Sequence, residues 1–262
     1  MNVGRTIVVE QADGVTTITL NRPEVLNAIN PAMHEELQQA FDDFASDRNQ
    51  LVCVLAGAGE RAFCAGSDLK AGTRASGYRY PRCGYGGLVE RFDLPKPIIA
   101  SINGLALGGG FELALACDII IASETAAFAL PEPRVGAIAV GGGIDRLIRQ
   151  MPQRVAMGYL LTGQRMSAPE AFGYGIVNAV VPPDSLAAEV QRWCRLILEC
   201  SPMAIQTTKE LARRSLAQPD LAVAISGMKD LPEYLRWWNS SDATEGVRAF
   251  VEKRAPIWSP PE

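Results

Sequence analysis

The chain has 262 residues, 48% of them hydrophobic and 21% charged, with a formal net charge of -4. That length buries a sizeable core, as one large domain or as a core with an appendage, while the acidic balance, unrelieved by any long basic run, excludes nucleic acid as the main partner. The single histidine and six cysteines without a CxxC pair exclude a histidine-based triad or a His-rich metal site, so any catalysis must lean on carboxylates or on the backbone.

The N-terminus opens into a strand without a signal-peptide core, and no apolar run reaches the ~18 residues of a membrane span. A cytoplasmic location is therefore expected, with Cys53, Cys64, Cys83, Cys117, Cys194 and Cys200 as thiols of a reducing compartment. The β-branched runs at 6–10 and 15–20, joined by Ala12-Asp13-Gly14, predict a hairpin. A polar loop follows at 21–28. Asn30 is an N-cap with Pro31 behind it, and Met33, Leu37, Phe41 and Phe44 carry a helix to about residue 45, with His34 expected on its flank.

Residues 51–56 predict a buried strand, after which Gly57-Ala58-Gly59-Glu60-Arg61-Ala62 fits a loose dinucleotide fingerprint. That fingerprint must open a helix and find an acid about twenty residues on; here Phe63-Cys64-Ala65-Gly66 breaks the helix at once and position 82 is Arg82, which sets the nicotinamide reading aside. Ala65-Gly66-Ser67-Asp68-Leu69 is a small-residue turn that presents first-turn amides. Residues 71–85, with Gly72, Gly77, Tyr78, Tyr80, Gly84 and Tyr85, predict a mobile loop whose tyrosines either line a pocket or are ordinary exposed loop residues, and 88–94 a short helix.

Residues 97–118 hold the most informative stretch. An apolar run too short for a buried helix ends in Gly108-Gly109-Gly110 and is followed by helix formers, which predicts a buried strand, a tight turn and the start of a buried helix. Glycines there allow close backbone approach, and free amides at a helix start favour an oxyanion. Glu112, three residues after Gly109, lies on the same helix face. A base beside an oxyanion donor is a catalytic pairing, although an ordinary first-turn acid favoured by the helix dipole fits the local pattern equally well.

Strands are expected at 118–122 and 126–130. Glu132, between Pro131 and Pro133, is expected on stiff, extended backbone, either as an accurately placed carboxylate or as a solvated loop acid. Gly141-Gly142-Gly143 opens a helix to about residue 151, another spans 153–161, Ser167 and Glu170 form a capping box, and 176–181 is the last clear strand. Beyond Pro182-Pro183 the pattern turns helical, at 186–200, 203–215 and 242–252, the last with a capping box from Asp242 and Glu245.

Together, Asn21-Arg22-Pro23, Phe63-Cys64-Ala65-Gly66-Ser67-Asp68-Leu69, Asn103-Gly104 with Gly108-Gly109-Gly110-Phe111-Glu112, Pro131-Glu132 and Phe250-Val251-Glu252-Lys253-Arg254 resemble the crotonase superfamily, the enoyl-CoA hydratase/isomerase family. The resemblance implies an α/β fold, a spiral of ββα units at 1–200 with a helical C-terminal trimerisation domain at 201–262, assembled as a homotrimer or a dimer of trimers. It implies that the amides of Ser67 and Gly109 hold a thioester oxygen and that Glu112 and Glu132 are paired catalytic glutamates. It also places CoA against Leu26, Ala28, Asp68 and Leu69, with Phe250 and Lys253 near the nucleotide from an adjacent subunit. No metal and no cofactor beyond the CoA of the substrate is implied, and no membrane partner.

The implied reaction is hydration of an α,β-unsaturated acyl-CoA or dehydration of the 3-hydroxyacyl-CoA. Enoyl-CoA isomerisation and non-catalytic acyl-CoA binding are the alternatives within the fold. Ser67, where simple hydratases often carry alanine, and Val140, where they often carry glycine, mark the acyl pocket, while the C-terminal tail and the run Ile138-Ala139-Val140-Gly141-Gly142-Gly143, without the usual proline, resemble the carnitinyl-CoA dehydratase branch. A functionalised or branched acyl group is expected.

Overall fold

The computed structural model describes residues 6–71 and 79–259. Gly72, Gly77 and Tyr78 of the expected pocket loop therefore lie outside the described residues. The hairpin forms: β1 (Ile7–Ala12) and β2 (Val15–Leu20) pair antiparallel across Asp13 and Gly14 at φ 49° and 80°, the twist that suits a two-residue connection. α1 (Pro31–Ser46) starts where the Asn30 side chain accepts from the Met33 N–H, and it buries Met33, Leu37, Phe41 and Phe44 along one stripe. His34 is fully buried rather than on the flank, because a turn at Tyr85–Gly87 packs over α1.

From here the chain alternates between two sheets. β3 (Val52–Gly57), β5 (Ile98–Ile102), β7 (Ile119–Ser123) and β10 (Ala179–Val181) extend the hairpin into a six-stranded sheet ordered β1-β2-β3-β5-β7-β10. β4 (Ala62–Cys64), β6 (Leu105–Leu107), β8 (Ala127–Ala129) and β9 (Met166–Ser167) form a four-stranded sheet ordered β4-β6-β8-β9. Pairing is parallel except for β1 with β2 and β8 with β9. β5-β6 followed by α2 (Gly109–Ala116), and β7-β8 followed by α3 (Gly143–Gln150), are turns of a ββα spiral. The single strand expected before the glycines is thus two, broken at Asn103-Gly104. Gly104 lies so close to the next layer that a Cβ there would sit 2.4 Å from the Arg61 carbonyl oxygen.

Strand parity sorts the core. Cys53, Leu55, Ile98, Ala100 and Ile120 face the main interior, whereas Val52, Val54, Ile99 and Ile121 face Leu186, Val190 and Cys194 of α6 (Leu186–Leu198). α4 (Gln153–Thr162) and α5 (Ala168–Gly173) follow α3, and the Ser167–Glu170 capping box is present. The helix expected at 88–94 does not form. Gly86 and Gly87, at φ 61° and 63°, leave helical space where its first turn would nucleate.

The C-terminal region holds α7 (Pro202–Ala217), α8 (Leu221–Gly227), α9 (Pro232–Trp238) and α10 (Asp242–Glu252). Ser241, not Asp242, is the N-cap of α10. Tertiary bonds have taken both expected capping carboxylates: Asp242 accepts from Ser201 and the Ser259 N–H, and Glu245 from Arg248, Arg254 and the Ile257 N–H. Among the described residues no helix is long and apolar enough to cross a membrane.

Candidate active site

β4 and β6 are neighbours in the small sheet, so the turns that leave them lie side by side. A Cβ on Gly66 would come 2.8 Å from the Leu107 carbonyl oxygen and 3.3 Å from the Gly109 nitrogen, and one on Gly110 would meet the Cys64 carbonyl oxygen at 2.2 Å. Only glycine permits this contact. It brings the amides of Ser67 and Gly109 to one junction, and among the described residues neither N–H donates to a protein acceptor. Gly109 opens α2, where the helix itself offers its N–H no carbonyl. Buried N–H groups in that state are rare.

The Ser67 turn is clamped from its other side. The Ala65 N–H donates to Leu26 O (3.0 Å), the Ile29 N–H to Gly66 O (2.8 Å) and the Asp68 N–H to Ile29 O (2.9 Å). Arg22 bridges the Ala28 carbonyl at 2.7 Å and the Asp68 carboxylate at 3.0 Å. Leu26 and Asn27 both take left-handed backbone, φ 56° and 55°, a strain of about 1 kcal/mol or more each. The Asn27 side chain offsets it, accepting from the Arg22 N–H and donating to the Ala58 and Ala62 carbonyls. Leu26, Ala28, Asp68 and Leu69 thereby share one rim, with Leu69 at 75% exposure.

Glu112, one turn into α2, is 4% exposed. Its Oε1 accepts from the Gly143 N–H at 2.9 Å, and a Cβ on Gly141 would lie 2.5 Å from its Oε2. Burial pushes its carboxyl up to about 7; the Gly143 and Gly141 amides and Arg146 pull it down, and Glu132 pushes it further up. Glu132 begins a 3-10 helix, Glu132–Val135, rather than an extended loop. The flanking prolines fix φ at a value that also suits a first helical turn. Its Oε1 sits over Gly108, where a Cβ would come within 2.9 Å. The two carboxylates thus flank the Gly109 amide.

Tyr85, His34 and Arg146, to which pattern reading gave no part in the chemistry, complete the arrangement. Tyr85 is 4% exposed, with its ring against Gly109, where a Cβ would lie 2.2 Å from the ring, and its hydroxyl 3.3 Å from Ser67 Oγ. His34 stands edge-on behind it at 4.7 Å and accepts from the Gly86 N–H at Nδ1; burial pushes the imidazole down to about 4, so it stays neutral. The local signal for Tyr85 was the Gly86-Gly87 pair that turns it inward. Arg146 donates to the Gly141 and Val89 carbonyls and so braces the loop that holds Glu112.

Val140 adjoins this loop but is 69% exposed, lining a cavity of about 390 Å³ with Val89, Gly142 and Arg146. Phe250 and Lys253 lie at the end of α10, which packs on α7 and α9, apart from the glutamates within one chain. A cavity of about 740 Å³ lies against α6 and α7, is apolar and is lined by neither glutamate. The chemistry is placed by the amides and carboxylates instead. Among the described residues no group of three or more His, Cys, Asp or Glu side chains is arranged to hold a metal ion.

The sequence profile of the enoyl-CoA hydratase/isomerase family matches residues 10–261. The chain is 42% identical over 249 residues to a carnitinyl-CoA dehydratase of Proteus mirabilis, covering 93% of this chain and 94% of that protein. It is 41% identical over 250 residues to that of Salmonella typhi, with the same coverage. Its structure is similar to an enoyl-CoA hydratase of Mycobacterium tuberculosis at a TM-score of 0.91 and 36% identity, covering 98% of this chain and 99% of the other. An enoyl-CoA hydratase of Mycobacterium marinum matches at a TM-score of 0.90 and 37% identity, covering 97% and 98%. On the order of its motifs, its spiral of ββα units and these likenesses, the chain belongs to the enoyl-CoA hydratase/isomerase family.

Proposed function

We propose that the protein is a lyase that adds water across the double bond of an α,β-unsaturated acyl-CoA, or removes it from the 3-hydroxyacyl-CoA. One observation carries the reading: two amides without a protein acceptor meet between two coupled carboxylates. In this reading the thioester oxygen accepts from the Ser67 and Gly109 N–H groups, which stabilise the enolate as it forms; losing one such donor typically costs about 3 kcal/mol. Glu112 takes a proton from the water, and Glu132 exchanges one at Cα. The hydratases and dehydratases among the relatives support the reaction class.

Isomerisation needs a single base, and a binding protein needs none. The pairing of Glu112 with Glu132 favours hydration over both. The rim of Leu26, Ala28, Asp68 and Leu69 receives CoA, with Phe250 and Lys253 contributed by an adjacent subunit of a trimer or of a dimer of trimers. Residues 1–200 then carry the chemistry and 201–262 the assembly, in the cytoplasm, with no cofactor. Ser67 and Val140 shape the acyl pocket. A panel of enoyl-CoA and 3-hydroxyacyl-CoA thioesters, followed by loss or gain of the enoyl-thioester absorbance, tests the reading. Turnover of at least one polar, branched or aryl member above crotonyl-CoA is expected, and no turnover of any member overturns it.

A further inference from the structure

We propose that Ser67 and Tyr85 together form a hydrogen-bond donor site for a neutral oxygen on the acyl chain, so that the enzyme selects oxygenated acyl-CoA substrates. This deepens the hydratase reading and rests on it. Two hydroxyls carry two protons, and the bond between Ser67 Oγ and the Tyr85 oxygen uses one. Among the described residues neither hydroxyl has another hydrogen-bond partner. One proton is therefore left for an acceptor that the protein does not supply, on a side chain only 4% exposed to water. A buried donor in that state favours a ligand that completes it.

The position of the pair says where that acceptor lies. Tyr85 is in contact with Gly109, and Ser67 carries the second of the two amides at the junction. The thioester oxygen has two lone pairs, and the two amides occupy both. The remaining hydroxyl proton must then meet an oxygen further along the acyl chain, a few carbons away. Glu112 and Glu132 border the same space and disfavour an anion there, so the acceptor is a keto, ether or hydroxyl oxygen rather than a carboxylate. His34 supports the phenol from behind as a neutral ring, and Tyr80 packs edge-on against both.

The test uses saturated thioesters, which the proposed reaction cannot consume. Affinities of the full-length protein for 4-oxopentanoyl-CoA and for its carbon isostere 4-methylpentanoyl-CoA are measured by calorimetry, for the wild type and for Tyr85→Phe. The wild type is expected to prefer the keto ligand by about 10-fold, the worth of one net hydrogen bond, and Tyr85→Phe is expected to bring the ratio to about one. Equal affinities in the wild type, or a preference that survives Tyr85→Phe, overturn the proposal. The wild-type ratio stands alone as a test if the variant does not fold. A preserved preference in a protein that turns over no enoyl-CoA supports the donor site and overturns the hydratase reading; turnover with a ratio of one does the reverse.

Discussion

Glu132 rests its carboxylate on Gly108, the N-cap residue of the helix that carries Glu112. Two acids distant in sequence are thus fixed to the two ends of one helical turn. If each carboxylate acts in proton transfer as proposed, Glu112→Gln and Glu132→Gln should each lower kcat by roughly 10²–10⁴-fold with little change in acyl-CoA affinity. Steady-state kinetics with a binding measurement on a saturated acyl-CoA separates the two effects. Near-full activity of Glu112→Gln would sink the two-glutamate assignment.

Burial raises the Glu112 carboxyl from its ordinary 4.5 to about 7. A base must be ionised, so kcat/KM for hydration should climb with pH through about 7 and level off above. Stability runs the opposite way. Folding takes up a proton between the two values, so this contribution is complete below about 4.5 and is lost as pH rises through about 7. Glu112→Gln should therefore gain in Tm relative to the wild type as pH rises across that window. A Tm difference independent of pH would contradict it.

Gly110 abuts the Cys64 carbonyl too closely for any side chain. Gly110→Ala should force the two amide-bearing turns apart, cost about 1–3 kcal/mol in stability and lower kcat by roughly 10²-fold or more through the weakened oxyanion contacts. Denaturant midpoints and kcat measured on the same preparation would show it. A fully active variant would mean that the junction is not where the thioester oxygen sits.

Arg146 pulls the Glu112 carboxyl down and braces the carbonyls of Gly141 and Val89. Arg146→Met should push the Glu112 carboxyl further up, moving the acid limb of the pH–rate profile to higher pH. A purely structural residue would lower kcat at every pH and leave the limb in place.

Leu216, Phe250, Val251 and Ile257 are 91%, 85%, 73% and 77% exposed in a single chain. So much apolar surface in the C-terminal region predicts a trimer or a dimer of trimers. Sedimentation at micromolar protein should give a mass that is a multiple of three chains, and a monomer would refute it. Leu196, near the end of α6, is exposed as well, whereas Ile197 and Leu198 pack partly against the sheet and Trp237 is half-buried.

The elements with local signatures were legible in the sequence: the hairpin at Asp13-Gly14, the Asn30 cap and the Ser167–Glu170 box all have causes within a few residues. The pairing of the Ser67 and Gly109 amides came from the family resemblance, and the structure brings their two turns into contact at Gly66 and Gly110. What escaped was whatever depended on a second layer. His34 looked like a flank residue because what packs over it, Tyr80 and the 85–87 turn, is distant in sequence. Asp242 and Glu245 carried a capping pattern, yet Ser201, Arg254 and Ile257 compete for the same oxygens. Tyr85 could not be told from its neighbouring tyrosines until Gly86 and Gly87 were seen to aim it at Gly109.

The backbone at Leu26 and Asn27 is held in its unfavourable form by bonds within the protein, from the Asn27 side chain to Arg22, Ala58 and Ala62. The rim proposed to receive CoA is therefore shaped when the chain folds, not when the nucleotide arrives. Its ordering entropy is subtracted from folding stability and leaves affinity untouched. Substitutions such as Asn27→Ala would then register twice, as a less stable protein and as a weaker hold on every acyl-CoA alike.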